Sequence, residues 1–303
     1  MAQTTEETAP PAQDSPVRRR VRWRGAAYTV PLVVFLVALF LVPLVQLLRL
    51  SFRPVDVNNT ALPGFTFRQY GRVFTEPYFY SSLTRTVLTA LLVTALCVVL
   101  AYPAAYTLAR RRPGVLRTVL FVIVISPLLT SVVVRSYGWV VLLSGAGPVN
   151  RALVATGLLS QPAHLLTSYT AVVVSVTHVL LPFAIVPLTT ALGGLDRDVH
   201  RASQSLGAGP VRTFARVTVP LSLPGVVTGA LVVFALSMGI YITPLLVGGV
   251  NQPLAGIRVY DQVSTVYDYP VAAALSFALL GITVVSTSAL GTAFRVWERR
   301  LYG

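Results

Sequence analysis

Lysine is absent from this 303-residue chain, and acidic residues number only 10. A phosphate-binding loop of the Walker A type needs a lysine to reach the terminal phosphates, so ATP hydrolysis through such a loop is excluded. The single cysteine, Cys97, excludes an internal disulfide and any Cys-based metal site. It falls inside an apolar run and reads as a small buried hydrophobe. The histidines, His164, His178 and His200, stand in separate regions and form no H-E-x-x-H zinc motif. No G-x-S-x-G nucleophile elbow occurs either. No catalytic residue, metal ligand or cofactor site is therefore assigned, and an enzyme is disfavoured.

What is present is apolar. Hydrophobic residues make up 54% of the chain and charged residues 11%, with a mean hydropathy of +0.72. Soluble domains carry about 25% charged residues, so the solvent here is a bilayer. The net charge of +14 is carried by arginine alone. In a soluble protein such an excess would suggest nucleic acid, but the aromatic residues lie in apolar runs, not among the arginines, and no nucleic-acid partner is expected. The arginines instead flank the apolar spans, as expected for topology and contact with anionic lipid.

Residues 1–27 are polar, contain Pro10, Pro11 and Pro16, end in Arg18, Arg19, Arg20, Arg22 and Arg24, and read as a disordered tail. Six runs follow that are long enough to cross about 30 Å of hydrocarbon, near 28–50, 83–109, 117–143, 168–191, 221–247 and 271–294. The first exceeds a signal-peptide core and lacks a cleavage site, so it reads as a retained helix. With both termini inside, sixteen arginines fall on the cytoplasmic side and eight on the other, which the positive-inside rule favours. The expected fold is all-α and polytopic: a membrane domain over 28–294 and a cytoplasmic tail over 295–303. Prolines 103, 127, 182, 187 and 244 fall inside these runs. They read either as functional kinks or as the ordinary proline enrichment of membrane helices.

All ten carboxylates lie outside the six runs. Ion-coupled transporters usually retain buried carboxylates as relays, so the missing ones disfavour a self-powered, proton-coupled mechanism. A self-contained secondary transporter or channel stands as the alternative reading. His178 is the ionisable group nearest the middle of a span, and is read either as a substrate contact or as a neutral bridge between helices. Arg135, with Tyr137 and Trp139, either lines a path or snorkels to the interface.

The loop 192–220 carries more information. Val199, Ala202 and Leu206 recur at helical spacing, Asp196 or Asp198 can cap the start, and Gly207, Gly209 and Pro210 interrupt. Pro210 suits the first position of a second short helix through Phe214 and Val217. The product is a bent pair of helices, and periodicity alone leaves open whether it docks a protein or lies on lipid.

This loop resembles the EAA motif of binding-protein-dependent ABC permeases: E-A-A, three residues, G, nine residues, I-x-L-P. Arg201-Ala202-Ser203 stands at E-A-A, Gly207 at the glycine, and Val217-Thr218-Val219-Pro220 at the end. Arg201 departs from the usual glutamate and reverses a charge. Further stretches resemble the spermidine/putrescine-type permeases. These are Phe67 to Tyr70 with Phe74, Ala101-Tyr102-Pro103 to Arg110, Pro127 to Trp139 with Gly147 and Asn150, and Thr243-Pro244 with Gly248-Gly249. The resemblance implies the MetI-like fold and a permease subunit of an ABC importer in the inner membrane. Its implied partners are a dimer of ATPase subunits that binds the ATP, a second and different permease subunit, and an extracellular solute-binding protein. It implies ATPase coupling through Arg201, Ala202, Ser203, Leu206, Gly207, Pro210 and Phe214. Tyr102, Arg135, Tyr137, His178 and Tyr241 are the expected path residues. Polyamine-type members often carry acidic residues where this chain has Ile240 and Leu245, and a polycation would want carboxylates along its route.

Overall fold

A computed structural model describes residues 16–248 and 253–302. Of the sequence expectations above, residues 1–15 of the tail and Gly249 lie outside the described residues. The chain divides into two units, Met1–Arg49 and Leu50–Gly303.

The first unit holds most of helix α1, Pro16–Ser51. Proline at the first helical position loses no hydrogen bond, since that N–H has no partner within a helix. The helix thus starts well before the apolar run, and the tail expected over 1–27 is helical from Pro16 onward. Its stretch Thr29–Ser51 has a mean hydropathy of 2.7, enough to cross a membrane.

In the second unit, α3 (Pro77–Arg110), α7 (Tyr169–Gly193) and α10 (Val219–Gly239) pack against one another as the core. Each is apolar on most sides, as membrane spans are, so side-chain size decides which face is buried. On α3 the buried face is Val93, Cys97, Ala101 and Ala105, small residues repeating every fourth position, with Leu108. On α10 it includes Gly225 and Gly229. A Cβ at Gly225 would come within 2.4 Å of the Ala191 Cβ, and one at Gly229 within 3.2 Å of the Ala184 Cα. Small residues on both sides let the backbones approach, which is how helices associate when lipid offers no hydrophobic drive.

Against this core lies α13 (Tyr269–Tyr302), whose apolar stretch runs over Tyr269–Val296. Its first turns pack with α2 (Arg68–Thr75) and α12 (Ala255–Ser264) around Val73, Phe79, Leu83, Val271 and Leu275. Among the described residues, six helical stretches are long and apolar enough to span a bilayer, one of them, Val132–Ala155, interrupted by a turn at 144–147.

Two spans expected as single helices are broken. The run 117–143 is two helices, α4 (Val115–Leu129) and α5 (Val132–Leu143), separated by extended Thr130 and Ser131. The cause is Pro127, whose missing N–H frees the Ile123 carbonyl. The Ser126 hydroxyl donates to that carbonyl at 3.2 Å, and Thr130 N–H falls back on Pro127 O at 3.3 Å, closing the helix. Likewise the run 221–247 ends at Gly239. Ile240 is extended, and a separate helix α11 (Ile242–Gly248) follows with Pro244 in its first turn. There proline breaks no bond, so Pro127 and Pro244 mark helix ends, while Pro103, Pro182 and Pro187 lie inside helices.

The loop between α5 and α7 contains α6 (Pro148–Ala155). Buried Asn150 organises it, donating to Ser144 O and Ala163 O at 3.0 Å and accepting from Ala163 N at 2.9 Å. At Gly147 a Cβ would stand 2.5 Å from Val141 O, so only glycine fits that turn.

Candidate functional site

Two clusters of sequence-flagged residues form. The first is an elbow between α7 and α10. Helix α8 (Arg197–Ser205) starts at Asp196, whose carboxylate accepts from Asp198 N at 3.0 Å; of the two possible caps, Asp196 is the one used. The helix ends in a Schellman closure, with Gly207 N donating to Gln204 O at 2.9 Å and Ala208 N to Ser203 O at 3.1 Å. Gly207 has φ +80, and no atom lies within 4 Å of where its Cβ would be. Glycine is required there by conformation, not by space. Pro210 opens α9 (Pro210–Thr213), and a π-helical turn, Phe214–Thr218, leads into α10.

The two short helices are held together by Ser203 Oγ and the buried Thr213 hydroxyl, 3.0 Å apart. At the bend, Leu206 is 88% and Val211 79% exposed, two large apolar side chains facing outward. Ala202 is exposed beside them. Arg201 reaches Asp198 at 3.3 Å, but both side chains are more than three-quarters exposed, so this ion pair contributes little to the fold.

Phe214 joins the elbow to the core. Its ring meets Tyr102 and Tyr106 of α3 edge-on, with centroids 5.4 and 5.6 Å away. The Tyr102 hydroxyl lies 2.8 Å from Ser222 Oγ on α10. The ring and the hydroxyl of Tyr102, one of the expected path residues, are engaged by Phe214 and Ser222. Tyr106, Thr213 and Ser222 were not singled out from the sequence, where nothing distinguishes a hydroxyl that finds a partner 120 residues away.

The second cluster lies where α5, α7 and α11 meet. Ser136 Oγ and Thr243 Oγ1 are 2.9 Å apart and buried, bridging α5 to α11. One turn along α5 from Arg135, the Trp139 indole N–H donates to His178 Nδ1 on α7 at 3.3 Å, with ring centroids 5.5 Å apart. A ring nitrogen that accepts carries no proton, so the His178 ring offers its Nε2–H as donor. Arg135 Nε and Nη1 are buried and find no hydrogen-bond partner among the described residues. Tyr137 is 56% exposed, and Tyr241 stacks on Tyr260 at 5.8 Å, so neither is drawn into this cluster by a polar contact among the described residues.

Kinked and broken apolar helices around a core, with an exposed bent segment between two spans, define a polytopic membrane transport subunit. Residues 101–298 match the family model for binding-protein-dependent transport system inner membrane components. The chain is 32% identical over 250 residues to the spermidine/putrescine transport system permease protein PotB of Salmonella typhimurium, covering 82% of this chain and 86% of that one. A bacterial alginate ABC transporter, solved with an alginate pentasaccharide-bound periplasmic protein, superposes with a TM-score of 0.70 at 17% identity, covering 92% of this chain and 96% of that one. The MetNI methionine ABC transporter in an inward-facing conformation does so with a TM-score of 0.55 at 20% identity, over 75% of this chain and 99% of that one. The chain belongs to the binding-protein-dependent transport family, as a permease subunit of an ABC importer.

Proposed function

We propose that this permease sits in the inner membrane with both termini cytoplasmic and is driven by a separate ATPase that docks on the elbow 197–218. The observation that carries this reading is the elbow itself. Its bend is fixed by the Schellman closure and the Ser203–Thr213 link, and it presents Leu206 and Val211 outward. Exposed apolar side chains on a preorganised turn suit insertion into a protein cleft. The arginine bias supports the orientation, placing the elbow on the cytoplasmic side. Arg201, Ala202, Ser203, Leu206, Gly207 and Pro210 form the docking surface, and Phe214 links it to α3 and α10.

A solute-binding protein delivers a small solute to the opposite face, where α2, α6 and α12 lie, and a second permease subunit completes the path. Tyr102, Arg135, Tyr137, His178 and Tyr241 line that path from this chain. ATP-driven closure of the ATPase subunits moves the elbow and shifts the helices between inward-open and outward-open states. Likeness to PotB supports a solute of polyamine size. Its charge is a separate matter, because no Asp or Glu falls within the spans of this chain.

Affinity purification of the tagged chain from its native membrane tests the reading. A nucleotide-binding subunit should co-purify, and Gly207→Asp should abolish uptake while the chain still inserts. Solute flux in liposomes holding this polypeptide alone would favour a self-contained transporter.

A further inference from the structure

We infer that the cleft between α4 and α7, at the elbow's end of the bundle, holds an anionic phospholipid, its phosphate at Arg117 and an acyl chain along the groove beneath. The inference rests on the cytoplasmic placement of the elbow and adds a lipid site beside it.

The cleft has a volume of about 420 Å³. It exists because α4 stands off the core: none of its residues is buried, and Leu120 and Val124 make its partial contact there. Two helical stripes line it. Arg117, Phe121 and Val124 recur at i, i+4 and i+7 on α4, and Ile185, Thr189 and Gly193 at i, i+4 and i+8 on α7. Arg117 is in the first turn of α4 and Gly193 ends α7, so one end of the cleft lies where α7 hands over to the elbow. From Arg117 to Val124 the stripe rises about 10 Å, well into one leaflet of a hydrocarbon core about 30 Å thick.

The two ends differ in chemistry. Arg117 is exposed, and exposed Arg110, Arg111 and Arg112 precede it in the same turn. Farther in, Phe121, Val124 and Ile185 make the wall apolar. The Thr189 and Thr190 hydroxyls do not change this, since they donate to Ile185 O and Val186 O of their own helix at 2.7 and 3.1 Å. Such a wall suits a hydrocarbon chain better than a polar solute. An arginine that merely snorkels from a flat helix face offers the charge without the groove. Here both are present, and basic pockets between spans on the cytoplasmic side match anionic headgroups. A Cβ at Gly193 would meet nothing within 4 Å, so the cleft is open at that level. A lipid seated there braces the end of α7 from which the elbow departs.

Photolabelling tests the site. The complex purified from native membranes is placed in phosphatidylcholine nanodiscs with either phosphatidylglycerol or phosphatidylcholine carrying an acyl-chain diazirine, and labelled residues are mapped by peptide mass spectrometry. Val284 and Val285, exposed on α13, give the reference for general lipid contact. Relative to them, the phosphatidylglycerol probe should label 121–124 and 185–189 about fivefold more than the phosphatidylcholine probe, the preference one arginine confers. Arg117→Gln should remove that preference and Arg117→Lys keep it. Gly193→Trp, which fills the open end, should lower labelling of the cleft by both probes while α13 is labelled as before. Equal labelling by the two probes, a preference that survives Arg117→Gln, or cleft labelling unchanged in Gly193→Trp overturns the inference. So does a cleft that neither probe labels, which would mean that protein covers α4. Trypsin reports the orientation separately: it should cut at the elbow arginines in inverted vesicles, and cleavage confined to right-side-out vesicles would overturn the cytoplasmic placement whatever the lipid result.

Discussion

The Arg72 guanidinium donates to Asp268 Oδ2 at 3.1 Å and so ties α2 to the start of α13. Asp268 is nearly enclosed, its side chain 2% exposed, and its other oxygen accepts from Val271 N at 3.1 Å as the cap of α13. Arg72 also holds Glu76 at 3.0 Å. Burial acts to lower the Arg72 pKa, but the hydrogen bonds and charges of Glu76 and Asp268 outweigh it and leave it raised. A raised value means the arginine's contribution is fully present below its ordinary pKa and is lost only above that, so it is constant at neutral pH.

Arg72→Ala should leave Asp268 buried without its cation and destabilise the protein by about 3 kcal/mol. Asp268→Asn keeps an acceptor for Val271 N and should cost less. Thermal unfolding in detergent checks the order. A wild-type midpoint for Arg72→Ala would show that the pair does not hold α2.

The spans were legible because a bilayer demands only a long apolar run, which hydropathy measures directly. The breaks at Thr130 and Ile240 were not, because hydropathy does not register which carbonyl a proline leaves free or which hydroxyl answers it. Helices α2, α6 and α12 are short, and nothing in their composition separates them from loops. The elbow was legible from Gly207, Gly209 and Pro210, whose backbone preferences are local. The pairing of Trp139 with His178 and of Tyr102 with Phe214 was not, since each joins residues brought together only by helix packing.

The contact between α7 and α10 depends on the missing side chain at Gly225. Gly225→Ala would put its Cβ 2.4 Å from that of Ala191, so the helices must separate, at about 1–3 kcal/mol. Ala191→Gly removes the obstructing atom. The double variant Gly225→Ala, Ala191→Gly should therefore recover most of the unfolding temperature lost in Gly225→Ala. Additive losses would show that the clash lies with the Pro187 carbonyl, 3.1 Å from the same position.

The hydroxyl link across the elbow is open to a double-mutant cycle. Ser203→Ala and Thr213→Val each remove one side of a bond worth about 1 kcal/mol. Their effects on ATP-driven uptake should be less than additive, because the second substitution finds the bond already gone. Full additivity would separate the two hydroxyls functionally.

Phe214 offers the sharpest separation of structure from coupling. Its ring meets two tyrosines edge-on, contacts worth about 0.5–1.5 kcal/mol each. It sits at the first position of the π-helical turn Phe214–Thr218, where the wider backbone offers a place for the segment to give. Losing about 1–3 kcal/mol is too little to unfold a bundle whose core is α3, α7 and α10. It is enough to detach the elbow's motion from α3. Phe214→Ala should therefore insert, bind the ATPase and support ATP hydrolysis, while uptake per ATP falls about tenfold, the factor that 1.4 kcal/mol represents. Phe214→Trp, which keeps an aromatic edge toward Tyr102 and Tyr106, should fall less. Parallel measurement of hydrolysis and uptake in proteoliposomes decides it: if the two activities decline together, Phe214 serves assembly and the mechanical role assigned to it is wrong.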